Sequence, residues 1–163
     1  MREILFRGKI DYSGEWVQGY YEKAKYCVTD RKLYDYISVP HPEEKFRQSD
    51  HFIVNPATVE QYAGLTDRNG KEIFEGDIVE FFGMRGTIIQ ECGAFGIGTR
   101  NPIDYDALEK KIPLRNRPYF CYNDNFISLW ELWWNYEQDE NPLYEVEVIG
   151  NIHDDPELLE VAL

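Results

Sequence analysis

The stretch from Thr58 to Phe81, TVEQYAGLTDRNGKEIFEGDIVEF, constrains the fold more than any other part of the chain. Its centre, Asp67-Arg68-Asn69-Gly70, predicts an Asx-type turn with a left-handed position that Asn or Gly occupies at little cost, so that two extended flanks fold back on each other. Gly76 is expected at a second position of positive φ or close packing, where Ala would cost about 1 kcal/mol. The predicted structural turn residues are therefore Asp67, Asn69, Gly70 and Gly76.

Strand patterns recur on both sides of this segment. Residues 3–10 and 15–26 predict an N-terminal hairpin, and residues 51–54 and 144–152 predict further strands. Residues 76–89 have the rhythm of consecutive antiparallel strands, and the glycines that follow permit the tight bends of a small barrel. We expect a mainly β fold of antiparallel strands.

The remaining segments predict loops and a few short helices. Residues 29–50 are expected to form a surface loop with one helical turn at 42–46, and residues 101–118 a mobile loop with a turn at 106–111. Residues 124–136 predict a short helix from polar positions at helical spacing, although strand alternation also fits this segment. Pro156 predicts the start of a last helical turn.

The length of 163 residues and the 43% hydrophobic content suffice for one full core. We therefore expect a single domain over residues 1–163, with a division into an N-terminal β sub-domain, residues 1–57, and a barrel sub-domain, residues 58–163, as an alternative.

The charge balance constrains the partners. Acidic residues outnumber basic ones by 30 to 17, for a net charge of −13, so the field of the chain repels phosphate backbones and anionic lipid. We expect no direct binding to nucleic-acid backbones or membranes, although such a field attracts basic partners and can imitate DNA. Because the apolar runs are far shorter than the ~20 residues of a membrane span and no secretion signal is visible, we expect a cytoplasmic protein.

The residues that carry most enzyme chemistry are scattered. Cys27, Cys92 and Cys121 form no C-x-x-C pair and are expected to be buried, inert thiols, and the three histidines show no metal-binding spacing. We predict no metal site and no cofactor. Glu75 and Asp77 flank Gly76 and suit a turn, but as an acid and base pair or cation ligands they remain an alternative.

Two segments are candidates for contacts with partners. Trp130, Trp133 and Trp134 are too bulky for one short helix to hide, so we expect at least one of them to form a subunit interface. The segment from Arg100 to Arg117 gathers the local basic residues and is expected either to be solvated or to dock an acidic face or phosphate.

Three blocks, MREILFRG, QYAGLTDRNGKEIFEGDIV and EVIGNIHDDPELLE, resemble the YopX family of bacteriophage and prophage proteins in order and spacing. The resemblance implies small SH3-like barrels, expression from a phage or integrated genome, and a ring-like homo-oligomer. It supplies no catalytic residues, because no activity is assigned to the family. The three tryptophans and Cys27 lie outside the matching blocks.

These observations together predict a non-catalytic binding or assembly protein that forms a homo-oligomer in the bacterial cytoplasm and contacts a host or phage protein. One alternative is an acidic DNA mimic that inhibits a host DNA-binding protein. A second is a metal-dependent hydrolase or nuclease that uses Glu75 and Asp77.

Overall fold

The structure is a computed structural model that describes residues 4–41, 49–112, 119–136, 143 and 145–160. Its described part is mainly β, with antiparallel strands and a few short helices, as predicted. The strands are β1 (Phe6–Lys9), β2 (Trp16–Lys25), β3 (Leu33–Pro40), β4 (Ser49–Ile53), β5 (Glu60–Thr66), β6 (Glu72–Phe74), β7 (Asp77–Phe81), β8 (Met84–Glu91), β9 (Ala94–Gly98), β10 (Phe126–Ser128) and β11 (Val146–Asn151). The helices are α1 (Tyr105–Glu109) and α2 (Leu129–Tyr136), and single 3-10 turns cover Pro56–Thr58 and Pro156–Leu159.

The chain divides into two compact units, residues 1–62 and residues 63–163. The division falls inside β5, whereas the sequence places it between residues 57 and 58. Each unit has its own antiparallel strand pairings.

In the first unit, strands β1 to β4 pair with their neighbours in chain order, and β5 joins the free side of β1 with Arg7 opposite Glu60. The predicted N-terminal hairpin is confirmed by the pairing of β1 with β2. The predicted loop over residues 29–50 is wrong, because β3 occupies residues 33–40 and pairs with both β2 and β4. Charges and prolines dominate that segment, but Tyr36 and Ile37 on β3 are buried and hold the strand in the sheet. The helical turn expected at 42–46 lies outside the described residues.

The second unit contains a five-stranded antiparallel sheet with the order β10-β9-β8-β7-β11. Ile88 on β8, Ile97 on β9 and Ile127 on β10 have no solvent exposure and form its core together with buried side chains of α2. Among the described residues no pairing joins β10 to β11, so the sheet is open there and no closed barrel is found. The SH3-like arrangement stays a prediction.

The predicted Asx turn joins β5 to β6. The Oδ1 atom of Asp67 accepts hydrogen bonds from the backbone N–H groups of Asn69, at 2.8 Å, and Lys71, at 2.9 Å. Its Oδ2 atom accepts one from the N–H of Val148 on β11, at 2.9 Å. Gly70 has the positive φ of 78° that this turn requires. The buried Asp67 carboxylate therefore fixes the local turn and also ties it to a strand that lies 81 residues away.

Candidate functional site

Helix α2 begins with a capping box formed by Ser128 and Glu131. The backbone N–H and the hydroxyl of Ser128 donate to Oε2 of Glu131, at 3.0 and 2.8 Å, and the N–H of Glu131 donates to Oγ of Ser128, at 3.1 Å. This reciprocal pairing satisfies donors that a helix N-terminus otherwise leaves free. The helix predicted over 124–136 is confirmed from residue 129 onwards, and residues 126–128 are the strand β10 instead.

The polar side chains of α2 face inwards. Oε1 of Glu131 accepts from the N–H of Cys121 at 2.6 Å, and the Asn135 side chain bonds both the N–H and the C=O of Tyr119, at 2.8 and 2.7 Å. Ser128, Glu131 and Asn135 are all buried. Glu131 and Asn135 hold the segment that follows residue 118 against the helix, because they bond its backbone groups as a neighbouring strand would.

Because the polar stripe of α2 is turned inwards, two of its tryptophans lie at the surface. The rings of Trp130 and Trp134, one helical turn apart, stack with centroids 5.5 Å apart and an interplanar angle of 15°. Tyr119 meets Trp130 edge-on, also at 5.5 Å. Tyr119, Trp130 and Trp134 keep 52%, 50% and 40% of their surface exposed. We call these three residues the aromatic surface.

Trp133 differs from the other two tryptophans, because it is partly buried and packs against the hydrophobic core. The structure thus distinguishes the three predicted interface residues. Trp130 and Trp134 are exposed at the surface, whereas Trp133 belongs to the packing of the core. Tyr119 was missed by the sequence analysis, since it joins the aromatic surface only through the bonds that Asn135 makes to its backbone.

The buried Glu131 carboxylate also changes the titration of its neighbours. It is the largest cause of a raised pKa of the Cys121 thiol. Burial is the main reason why the pKa of Tyr105 is raised to about 12, and the charge of Glu131 adds to it. The Tyr105 hydroxyl donates to the Asn123 carbonyl at 2.8 Å.

Asp77, one of the two carboxylates predicted as an alternative acid and base pair, has a structural role. Asp77 is buried, and its Oδ2 atom accepts a hydrogen bond from the N–H of Phe74 at 2.8 Å. The intervening Gly76 has a φ of 79°, which fits the turn interpretation. Within the described part of the chain, no group of three or more His, Cys, Asp or Glu side chains is arranged to hold a metal ion.

The expectation that the cysteines are buried is wrong. Cys27, Cys92 and Cys121 are all exposed free thiols. Cys27 follows the end of β2, and Cys92 lies in the two-residue turn between β8 and β9 with a φ of 50°. Their positions at strand ends override the preference of cysteine for protein interiors.

The basic residues predicted between Arg100 and Arg117 are only partly described. Arg100, Lys110 and Lys111 lie in the described residues, and the ammonium group of Lys111 sits over the ring of Phe82 at 4.9 Å from its centroid. Arg115 and Arg117 lie outside them. No helix in the described ranges is long and apolar enough to cross a membrane.

Comparison with known proteins gives one family. The family model described as YopX protein matches residues 5–160 of the chain. No curated protein matches it. Among solved structures, the chain is similar to the crystal structure of protein EF1440 from Enterococcus faecalis, with 21% sequence identity over 98% of this chain and 99% of that chain, and a TM-score of 0.42.

Proposed function

Because the chain belongs to the YopX family, we propose that it is a phage- or prophage-encoded protein of the bacterial cytoplasm that acts by binding rather than catalysis. Its partner at the aromatic surface is a second copy of the same chain. The stacked, exposed pair Trp130 and Trp134 is the observation that carries this proposal.

The buried polar face of α2 supports this assignment. Burial of Glu131 and Asn135 leaves two indole rings in water, although exchanging the faces of the helix would hide them. Large exposed aromatic side chains that are held in place are typical anchors of protein interfaces, where truncating one commonly costs 2 kcal/mol or more, roughly, of binding free energy. The surface is also preorganised, because Trp130 is fixed between Trp134 and Tyr119.

A second copy is the favoured partner because the aromatic surface carries no charge. In a two-fold contact the same patch serves both subunits, so one aromatic surface is sufficient. With a net charge of −13, copies of this chain repel one another elsewhere, and an uncharged patch is where they can meet.

The test is the mass of the protein in solution by light scattering. We expect the wild type to exceed the monomer mass and the double variant Trp130→Gln/Trp134→Gln to be monomeric at the same concentration. Tyr12→Ser is the control, since Tyr12 is an even more exposed aromatic residue in the β1–β2 turn of the first unit. We expect this control to keep the wild-type mass.

An unchanged mass in the double variant would refute the proposal. Trp133→Ala is less informative than the sequence suggests, because it removes core packing and lowers stability as well. A circular dichroism melt of each variant separates the loss of association from the loss of fold.

A further inference from the structure

A cavity of about 710 Å³ lies in the second unit, on the face of β8 and β9 that is turned away from the core. Ile88 and Ile97 point into the core, so their neighbours Thr87, Ile89 and Gly98 lie on the opposite face and line the cavity. Its volume is within the range of small-molecule sites, roughly 300–1,000 Å³. It is separate from the aromatic surface, whose residues do not line it.

Arg85 lines this cavity and has one buried donor without a hydrogen bond. Its Nε atom is buried and has no hydrogen-bond partner among the described residues, while Nη1 donates to the Leu158 carbonyl at 3.3 Å. The Glu80 carboxylate forms an ion pair with this guanidinium, and its Oε2 atom lies 3.6 Å from Nε, which is too long for a hydrogen bond. The Leu158 carbonyl takes only one of the donors of this guanidinium, and the other donors of its two terminal nitrogens are not used by that bond.

Arg100 is a second guanidinium that lines the same cavity, and no hydrogen bond or ion pair of its side chain occurs within the described ranges. The side chains of Thr87 and Asn101 also line the cavity without a hydrogen-bond partner in the described part of the chain. The cavity is therefore supplied with free donors.

These donors gather at one end. The antiparallel register sets Thr87 opposite Gly98 at the end of β9. Arg85 lies two residues before Thr87 and Arg100 two residues after Gly98, which is the same direction along the two antiparallel segments. Two acids also line the cavity. Glu91 is at the other end of β8, six residues or roughly 20 Å from Arg85, and Glu160, which follows Leu159, is exposed to solvent. Ile89 and Leu159 provide apolar lining.

We propose that this cavity binds a small organic anion, with its carboxylate or phosphate group held by Arg85 and Arg100 and its apolar body against Ile89 and Leu159. Arginine favours both oxyanions because its planar guanidinium donates two parallel hydrogen bonds. The proposal does not depend on self-association through the aromatic surface.

Isothermal titration with phenyl phosphate, benzoate and inorganic phosphate tests this proposal. We expect saturable binding of phenyl phosphate or benzoate that is tighter than that of inorganic phosphate, which lacks an apolar body. The preferred organic probe identifies the oxyanion. Arg100→Gln should weaken this binding about tenfold or more. Arg68→Gln is the matched control, because Arg68 is an exposed arginine of the same unit that pairs with Glu147 at 3.5 Å and does not line this cavity.

A second measurement locates the bound probe without any substitution. In a titration followed by NMR, the backbone amide signals of Thr87, Gly98 and Asn101 should show the largest changes in chemical shift. Equal affinity of the wild type and Arg100→Gln, shifts confined to residues elsewhere, or no binding of either organic probe at millimolar concentration would each overturn the proposal.

Discussion

At the scale of single residues, the three exposed thiols differ in their surroundings. The Sγ atom of Cys27 lies 3.1 Å from Oγ1 of Thr29, and this hydrogen bond is the largest cause of a lowered pKa at Cys27. The Glu131 carboxylate raises the pKa of Cys121. Because the thiolate is the reactive form, the two residues differ in reactivity although both are exposed.

We predict that iodoacetamide alkylates Cys27 before Cys121 near neutral pH. A lowered pKa increases the thiolate fraction at a pH below the ordinary value for cysteine, and a raised pKa decreases it. Peptide mass spectrometry at short reaction times measures both rates in one sample. Thr29→Val should slow the alkylation of Cys27 and leave Cys121 unaffected, whereas equal rates at the two thiols in the wild type would contradict the prediction.

At the scale of elements, α2 depends on one buried carboxylate. Glu131 accepts hydrogen bonds from the N–H and hydroxyl of Ser128 and from the N–H of Cys121. Its removal leaves three donors of the protein without an acceptor. Removal of the Ser128 hydroxyl takes away the helix cap and one of the three bonds to Glu131. The same contacts orient the face of the helix that carries Trp130 and Trp134.

We predict that Glu131→Ala lowers the free energy of unfolding by at least about 2 kcal/mol, and Ser128→Ala by about 1 kcal/mol. Asp104→Ala is the control, because Asp104 caps the shorter, more exposed helix α1 through the N–H of Ala107 and should cost about 1 kcal/mol or less. Urea denaturation gives all three values. A loss at Glu131 no larger than that at Asp104 would show that the buried network does not stabilise the helix.

Elements with a local signal were predictable from the sequence, and those that depend on distant partners were not. The turn at Asp67 could be predicted, because Asn69 and Gly70 follow it two and three residues later. Strand β3 was missed, since Tyr36 and Ile37 gain their burial from strands before and after it in the chain. The helical spacing of the polar residues on α2 was visible, but no sequence signal shows that these residues face inwards.

The same limit applies to the candidate sites. The excess of tryptophan in α2 indicated a surface contact, yet only the structure distinguishes Trp133, which packs on the core, from Trp130 and Trp134. Arg85 and Arg100 are 15 residues apart, and nothing in their local sequence relates them. They line one cavity because β8 and β9 are adjacent in the sheet.

At the scale of the whole molecule, the net charge of −13 opposes the self-association that we propose. Like-charged copies repel over a distance set by the Debye length, which falls from ~30 Å at 0.01 M salt to ~3 Å at 1 M. The attraction between uncharged aromatic surfaces, by contrast, weakens little when salt is added. The electrostatic cost and the aromatic attraction therefore respond differently to ionic strength.

We predict that added sodium chloride strengthens self-association, so that the mass measured by light scattering at a fixed protein concentration increases with salt. The acidic DNA mimic has the opposite dependence, because its attraction to a basic host protein is screened as salt rises. Trp130→Gln/Trp134→Gln should remain monomeric at every salt concentration, which separates the aromatic contact from non-specific salting out. An oligomer that dissociates on addition of salt would show that ion pairs, rather than the aromatic surface, hold the copies together.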